Sequence, residues 1–183
     1  MRIAVSGTHI TGKSTLVAAL AERLPRHVAV AEPYEILAGR GYEFADPPDI
    51  DDFVVQLRQS LLSLRRSAPN LIFDRCPLDF LGYIAADPDA VAFEIERWRE
   101  PVSRAMASLD LVIALTADRA YDPPIDADEA AYRRDVDDRL RDIVVGDAYD
   151  LGDGVEILAL DGPWDRRVET VLAHVHRRNL LLG

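Results

Sequence analysis

The chain has 183 residues, of which 49% are apolar and 29% are charged, a balance typical of a folded domain with its own core. Its formal net charge of −11 argues against nucleic acid as the main partner, since nucleic-acid binders carry a basic stripe. No apolar run approaches the ~20 residues of a membrane span, and the first residues lack the pattern of a secretory signal. Cys76 is the only cysteine, which excludes an intramolecular disulfide. We therefore expect a cytoplasmic protein without membrane or nucleic-acid partners.

Short apolar stretches alternate with amphipathic ones in the first half of the chain. Strands are predicted at 2–6, 28–31 and 71–73, and helices at 13–24 and 50–67. Glycines and prolines between residues 39 and 48 predict a loop before the second of these helices. A further helix is predicted to begin at Pro77, because proline is favoured at the first helical position.

The second half of the chain continues this alternation. Strands are predicted at 111–115 and 155–160, and helices at 89–108, about 128–145 and 164–181. We expect a kink at Pro101, inside the first of these helices. Five short apolar strands separated by helices predict a parallel sheet with helices on both faces. The sequence therefore predicts one α/β domain over residues 1–183.

A glycine-rich motif follows the first predicted strand. The segment 7–14, GTHITGKS, matches the phosphate-loop pattern G-x-x-x-x-G-K-[ST] in full. Its members are Gly7, Thr8, His9, Ile10, Thr11, Gly12, Lys13 and Ser14. A strand before it and a helix after it are the context in which this motif binds phosphate. The alternative is a glycine-rich turn with an incidental lysine.

The residue types of this motif suit a nucleoside triphosphate and a magnesium ion. The glycines allow the backbone to curl so that its amides point at phosphate oxygens. The chain contains 20 arginines but only one lysine, Lys13, which we expect to span the β- and γ-phosphates. The Ser14 hydroxyl is expected to hold Mg²⁺, with Thr15 near the α-phosphate. The predicted cofactors are ATP and Mg²⁺.

Two further motifs stand at the ends of predicted strands. Glu32-Pro33 follows the second strand, and Asp74-Arg75-Cys76-Pro77 follows the third. With the phosphate loop, they make the chain resemble the P-loop small-molecule kinases, in particular deoxynucleoside and ribosylnicotinamide kinases. The resemblance covers nearly the whole length. It implies a three-layer P-loop NTPase fold, with a five-stranded parallel sheet flanked by helices and a helical lid over about 117–153.

The resemblance also implies roles for the residues of these two motifs. Glu32 would take a proton from the attacking hydroxyl, Asp74 would assist the metal, and Arg75 would steady the transferring phosphate. The alternatives are an ordinary glutamate before a turn-forming proline and a chance acid-arginine pair after an apolar strand. Asp79 would contact substrate, or it stabilises the first turn of its helix as carboxylates do there.

The predicted lid and the segment after the last strand carry the remaining donor-side candidates. In the resembling kinases, lid arginines reach the transferring phosphate, which makes Arg133, Arg134 and Arg119 candidates. The alternative is a helix with exposed ion pairs. By the same resemblance, a loop containing Gly162, Trp164 and Arg167 would pack on adenine; these residues are candidates for that contact, although Trp164 could instead pack on the core.

The acceptor side is predicted from the helix at 50–67 and the loop before it. Gln56 and Arg58 are candidates to read the acceptor, with Tyr34 beside Glu32; the alternative for the helix is a solvated face. Four aspartates follow one another closely: Asp46, Asp49, Asp51 and Asp52. At the entrance of a pocket they would repel a phosphorylated acceptor, which favours an uncharged or cationic one such as a nucleoside.

We therefore predict transfer of the ATP γ-phosphate to a hydroxyl of a small metabolite, with a nucleoside or nucleoside-like acceptor favoured. Two alternatives stay open: a nucleotide-gated binding module with weak ATPase activity, and a nucleotide kinase. A compact GTPase is excluded because its N-K-x-D guanine reader needs a second lysine. Phe93 and Trp98 could pack on a second subunit and make a homodimer, or they could face their own sheet.

Overall fold

The central element of the fold is a five-stranded parallel sheet. A computed structural model describes residues 1–90, 93–117, 126–152 and 154–182. The strands are β1 (Arg2–Ser6), β2 (Val28–Val30), β3 (Leu71–Asp74), β4 (Leu111–Leu115) and β5 (Glu156–Leu160). They pair in the order β2-β3-β1-β4-β5. All four pairings are parallel, so the predicted sheet is confirmed.

The helices of the described residues lie between and after these strands. They are α1 (Lys13–Arg23), α2 (Pro33–Ala38), α3 (Ile50–Leu64), α4 (Pro77–Ala86), α5 (Glu96–Met106), α6 (Ala127–Leu140) and α7 (Trp164–Leu182). A π-helical turn, Arg141–Val145, continues α6. Among the described residues, no helix has both the length and the apolar character needed to cross a membrane.

Two apolar clusters separate the helices into two layers. Successive side chains of a strand point to opposite faces, and β1 divides accordingly: Ile3 and Val5 join one cluster, and Ala4 joins the other. The first cluster packs residues of α1 and α7 on the sheet, whereas the second takes residues from α3, α4, α5 and α6. The three-layer fold class is therefore confirmed.

Two predicted element boundaries were wrong. Residues 33–38, left without structure in the prediction, form α2, because Pro33 occupies the favoured first position and Gly39 ends the helix. The predicted helix 89–108 begins only at Glu96, since residues 93–95 are not helical. Pro101 does lie inside α5. Helix α2 is too short for helical periodicity to develop, whereas acids and apolar residues before Glu96 also fit a helical face.

Phe93 and Trp98 pack against the core of their own chain. Their rings lie 6.2 Å apart, and both contact the cluster that also contains Val102 and Met106. The structure therefore places these two aromatic side chains on their own core, as the second of the two predicted alternatives expected. The homodimer stays a prediction.

Candidate active site

The carboxyl ends of β1, β3 and β4 meet at one edge of the sheet, where ligands of parallel α/β folds bind. Residues 7–12 leave β1 there and curl back on themselves. Thr11 Oγ1 and Lys13 Nζ both donate to the Thr8 carbonyl, at 2.8 and 2.7 Å. A Cβ on Gly7 would lie 2.7 Å from the Leu115 carbonyl, and Gly12 has φ +84°. Both glycines are therefore required, the first by contact and the second by conformation.

The start of α1 is open to an anion. Gly12 is the N-cap of α1 and makes no side-chain capping bond there. The side chains of Ser14 and Thr15, in the first turn, are exposed. The first amides of a helix lack partners and carry partial positive charge, so they favour phosphate.

Lys13 is a buried ammonium group at the same point. Only 5% of its surface is exposed. Burial, and then the charge of Arg75, lower its pKa to about 7, although Asp79, Asp74 and Glu32 act in the opposite direction. A bound polyphosphate would reverse this balance, because an opposite charge at close range favours the ammonium form.

Asp74 and Ser14 bring a carboxylate and a hydroxyl together beside Lys13. Asp74 ends β3, is buried, and its Oδ1 has no hydrogen-bond partner in the described part of the chain. Burial raises the pKa of Asp74, while a hydrogen bond from Ser14 and the charge of Lys13 oppose the rise. A free carboxylate oxygen and a hydroxyl fit Mg²⁺, which takes few protein ligands and completes its shell with water and phosphate. The described residues contain no group of three His, Cys, Asp or Glu that could hold a metal.

Arg75 links Glu32 to the phosphate loop. Its Nε donates to Glu32 Oε2 at 3.0 Å, and its Nη1 donates to the Gly7 carbonyl at 3.1 Å. Its backbone has φ +76°, an uncommon conformation for a residue with a side chain, and its N–H bonds the Val5 carbonyl at 3.0 Å. Strained residues of this kind concentrate at functional sites.

Asp79 supports this arrangement from inside the protein. It is fully buried, and its Oδ1 accepts from the Gly7 amide at 3.0 Å and from Arg75 at 3.4 Å. Its Oδ2 accepts from the Cys76 amide at 2.9 Å, which fixes the start of α4. Both oxygens of Asp79 bond to protein groups, in keeping with its alternative role in the first turn of α4, and its contact with substrate stays a prediction.

A cavity of about 830 Å³ opens beside Glu32 and Arg75. His9 of the phosphate loop forms part of its wall, so the cavity adjoins the loop. Five aromatic side chains line it: Tyr34, Phe53, Phe80, Tyr83 and Tyr132. Gln56 also lines it and is 5% exposed. The structure thus brings Glu32, Tyr34, Arg75 and Gln56 to one cavity.

Arg58 and most of the aspartate tract do not reach this cavity. Arg58 lies on α3 two residues after Gln56, and its guanidinium sits over the Trp98 ring at 5.7 Å. Residues two apart face different sides of a helix, and Arg58 is not among the residues that line the cavity; its contact with the acceptor stays a prediction. Asp49 and Asp52 form the capping box of α3. Of the four aspartates, Asp46 alone lines the cavity.

The three predicted lid arginines have different surroundings. Arg133 is buried, and its Nε donates to the His9 carbonyl at 3.0 Å, which joins α6 to the phosphate loop. Arg134, the next residue of α6, is exposed. Arg119 lies outside the described residues. Burial, and then Arg133, Lys13 and Arg75, lower the pKa of the His9 imidazole to about 4, so it is neutral at pH 7.

Arg167 holds the end of the sheet to the phosphate loop. It donates to the carbonyls of Gly162 and Thr11, each at 2.8 Å. It is 7% exposed, so it acts here as a structural link between β5, α7 and the loop. Trp164, at the first position of α7, is 48% exposed and is not packed in the core. Contact of these residues with adenine stays a prediction.

Sequence reasoning missed Tyr83. Its hydroxyl accepts from the His9 amide at 2.8 Å, and the Arg75 guanidinium lies 5.2 Å from its ring centroid. The available signal was its position four residues after Asp79, which puts both on one face of α4. Tyr132 and Glu129 were missed because they reach the cavity from α6, far away in sequence.

Comparisons with known proteins agree with this architecture. A family model described as an AAA domain matches residues 2–167. The deoxyadenosine kinase from M. mycoides with bound dATP superposes with a TM-score of 0.69 and 19% identity, over 96% of this chain and 99% of that one. The thymidylate kinase from Candida albicans gives 0.61 and 13%, over 97% and 91%. The NadR protein in complex with NR gives 0.65 and 18%, over 96% and 50%. No curated protein matches the chain at the sequence level.

Proposed function

The chain belongs to the family of AAA domains, and on that premise we propose that it is an ATP- and Mg²⁺-dependent kinase that phosphorylates a hydroxyl of a nucleoside or nucleoside-like metabolite. The observation that carries the proposal is the shared wall of the two sites. His9 belongs to the phosphate loop and also lines the 830 Å³ cavity. A hydroxyl bound in that cavity would meet a γ-phosphate held by the loop.

The donor would be held by the loop and the first turn of α1. The amides there and the Lys13 ammonium would bind the phosphate oxygens. Ser14 and Asp74 would hold Mg²⁺, which would neutralise phosphate charge when bound. Arg133, whose Nε donates to the His9 carbonyl of the loop, would act on the transferring group.

Glu32 is the proposed general base. One of its oxygens, Oε2, accepts from Arg75, which fixes the orientation of the carboxylate. The other would take the proton of the acceptor hydroxyl as the acceptor oxygen bonds to the γ-phosphorus. The bond between that phosphorus and the bridging oxygen breaks, and ADP leaves with the electron pair. Arg75 would stabilise the negative charge of the phosphoryl group during its transfer.

The alternatives are disfavoured by the cavity. A binding module that hydrolyses ATP slowly needs no acceptor pocket with a carboxylate at its wall. A nucleotide kinase must hold an acceptor phosphate, and Arg75 is the one arginine that lines the cavity among the described residues. The net charge of −11 also supports a small-molecule rather than a nucleic-acid partner. We keep the cytoplasmic location and the homodimer as proposals.

ADP release measured with ATP, Mg²⁺ and a panel of nucleosides and nucleotides tests the function. At least one nucleoside should raise turnover above basal hydrolysis. Glu32→Gln should then lower kcat by about 10²–10⁴-fold, the usual contribution of a general base, while ATP affinity stays unchanged. Glu35→Gln is the matched control, because Glu35 is exposed on α2 and does not line the cavity.

Two results would contradict the proposal. If no acceptor in the panel raises ADP release, the result favours the alternative of a binding module with weak ATPase activity. If Glu32→Gln retains full turnover with an active acceptor, Glu32 is not the base, and the phosphate transfer must use another group.

A further inference from the structure

Tyr83 joins the wall of the acceptor cavity to the phosphate loop. Its side chain is buried and lines the cavity, and its hydroxyl accepts from the His9 amide at 2.8 Å. Building on the proposed kinase function, we propose that Tyr83 is a positioning residue for the γ-phosphate of the donor. It would act through the backbone of the loop, by holding the peptide group between Thr8 and His9 in one orientation.

The peptide group between Thr8 and His9 is held at both of its polar atoms. Its N–H donates to Tyr83, and its carbonyl accepts from Lys13 Nζ at 2.7 Å and from Thr11 Oγ1 at 2.8 Å. Because a peptide group is planar, a bond that fixes its N–H also fixes the direction of its carbonyl. Tyr83 therefore helps to determine where the Lys13 ammonium lies.

The next residue of the loop has a strained backbone that needs such support. Ile10 has φ +61°, which is rare for a β-branched residue. Strain of this kind persists only where the surrounding structure fixes it. His9, directly before Ile10, is held on both sides: its amide bonds Tyr83 of α4, and its carbonyl accepts from Arg133 of α6 at 3.0 Å. Two helices that contribute to the cavity wall thus also support the loop.

The Tyr83 hydroxyl can position the loop because its ring is itself held in place. The ring stacks on Phe53 with the centroids 5.0 Å apart, and the Arg75 guanidinium lies 5.2 Å from its centroid. Two other contacts of the hydroxyl are longer, with Arg75 Nη2 at 3.5 Å and His9 Nδ1 at 3.3 Å. Since hydrogen bonds weaken beyond about 3.2 Å, the His9 amide is its main partner.

The place of this contact points to the γ-phosphate rather than to the other phosphates. His9 lines the cavity, whereas Ser14 and Thr15 lie in the first turn of α1. The phosphate that is transferred must be the one nearest the acceptor, so the γ-phosphate belongs at the His9 end of the loop. The Tyr83 hydroxyl should therefore matter for a nucleotide that has a γ-phosphate and little for one that ends at the β-phosphate.

Binding of two nucleotides separates this role from a general loss of structure. Kd values for ADP and for AMPPNP, an ATP analogue that resists hydrolysis, are measured by calorimetry with Mg²⁺. For Tyr83→Phe we expect AMPPNP affinity to fall by about 3- to 10-fold, the usual contribution of one hydrogen bond, while ADP affinity stays the same. Tyr149→Phe is the matched control, because it removes the same atom from a partly buried tyrosine that packs on the same apolar cluster. Melting temperatures verify that both variants fold.

A double-mutant cycle with His9→Ala tests whether the effect passes through the backbone. His9→Ala removes the imidazole and keeps the amide that donates to Tyr83. If the hydroxyl acts through this amide, Tyr83→Phe should weaken AMPPNP binding by the same factor in both backgrounds. Loss of the effect in the His9→Ala background would show that the hydroxyl acts through the imidazole, and it would overturn the inference.

Turnover separates this inference from the kinase proposal. With the most active nucleoside of the panel, Tyr83→Phe should lower kcat/KM for ATP by about 3- to 10-fold and leave the KM of the nucleoside unchanged. A raised nucleoside KM with unchanged AMPPNP affinity would overturn the inference and leave the kinase standing, because Tyr83 would then contact the acceptor only. Equal weakening of AMPPNP and ADP would also overturn it. Selective weakening of AMPPNP, when no nucleoside stimulates ADP release, would support the role of Tyr83 and contradict the kinase.

Discussion

Lys13 carries a charge that depends on whether the phosphate loop is filled. Burial and then Arg75 hold the pKa of Lys13 near 7, well below the ordinary value of 10.5. At pH 8 most of the molecules would therefore have a neutral amine at this position. A bound polyphosphate restores the ammonium, so binding must take up a proton.

This proton uptake is measurable by calorimetry. ADP titrated at pH 8 in two buffers of different ionisation enthalpy should show a net uptake approaching one proton, and its affinity should fall as pH rises above about 7. His9 does not confuse the result, because its pKa of about 4 leaves it neutral throughout this range. A Lys13→Arg variant, charged at every pH used, is the control and should show no uptake. Equal heats in the two buffers would show that Lys13 is already protonated before ADP binds.

The sequence predicted the roles of other residues only where those residues belong to one continuous motif. The phosphate loop is one continuous segment, so its spacing alone predicts its geometry. Tyr83 and Glu129 reach His9 from separate helices, and no pattern within one segment reports such a meeting. Asp79 shows the opposite case: a conspicuous carboxylate proved to be bonded to the backbone of Gly7 and Cys76.

At the scale of elements, the contact between α4 and α6 determines where α6 lies. A Cβ at Gly82 of α4 would be 2.5 Å from a methyl carbon of Leu140, a buried residue of α6. The glycine thus allows the two helices to approach closely. The approach also sets the position of Arg133, which lies on the same helix as Leu140 and bonds the phosphate loop.

Gly82→Ala should separate the two helices. Overpacking costs about 1–3 kcal/mol, and the gain in helix propensity returns at most about 1 kcal/mol. We expect a net loss of unfolding free energy in chemical denaturation and a lower kcat as Arg133 is displaced. In a Leu140→Ala background the same change should cost little, because the clashing side chain is gone. Equal costs in both backgrounds would show that the contact is not the cause.

Element prediction worked where periodicity had room to develop. The long helix α3 shows four apolar positions at helical spacing, and its start is marked by the capping pair Asp49 and Asp52. The six-residue α2 is too short for such a pattern, and the prediction left residues 33–38 without structure. The late start of α5 was missed because acids and apolar residues before Glu96 also fit a helical face.

At the scale of the whole molecule, repulsion between negative charges lowers the stability of the folded state. A net charge of −11 on 183 residues repels itself, and salt screens this repulsion over about 8–10 Å. Exposed ion pairs such as Arg23 with Glu169 contribute little to the free energy of unfolding. Their weakening by salt should therefore be smaller than the stabilisation from screening the negative charges.

The melting temperature should therefore rise with sodium chloride. Between 20 and 300 mM we expect an increase of about 2–4 °C, corresponding to about 1 kcal/mol in a domain of this size. Differential scanning calorimetry measures the shift. The double variant Asp51→Asn with Asp138→Asn, which carries less negative charge, should show a smaller rise. A melting temperature that is flat or falls with salt would mean that favourable ion pairs dominate.

More of the fold than of the cavity could be predicted from the sequence, because the cavity is built from segments that are far apart in the chain. Each strand, like the phosphate loop, can be recognised from a short continuous segment of the sequence. The parallel pairing of the strands follows from their alternation with helices. The cavity walls come from α2, α3, α4, α6 and the loops between them. Which of their side chains turn inward depends on packing, as the opposite directions of Gln56 and Arg58 illustrate.

The lone lysine has a practical consequence for anyone who studies this protein with chemical labels. Reagents that modify lysine side chains find a single target in the sequence, and it lies in the phosphate loop. Its depressed pKa leaves a large fraction as a nucleophilic free amine at neutral pH. A nucleotide in the loop would cover this amine, and its negative charge would favour the protonated form. The extent of modification at one position therefore reports directly how much of the protein holds its donor.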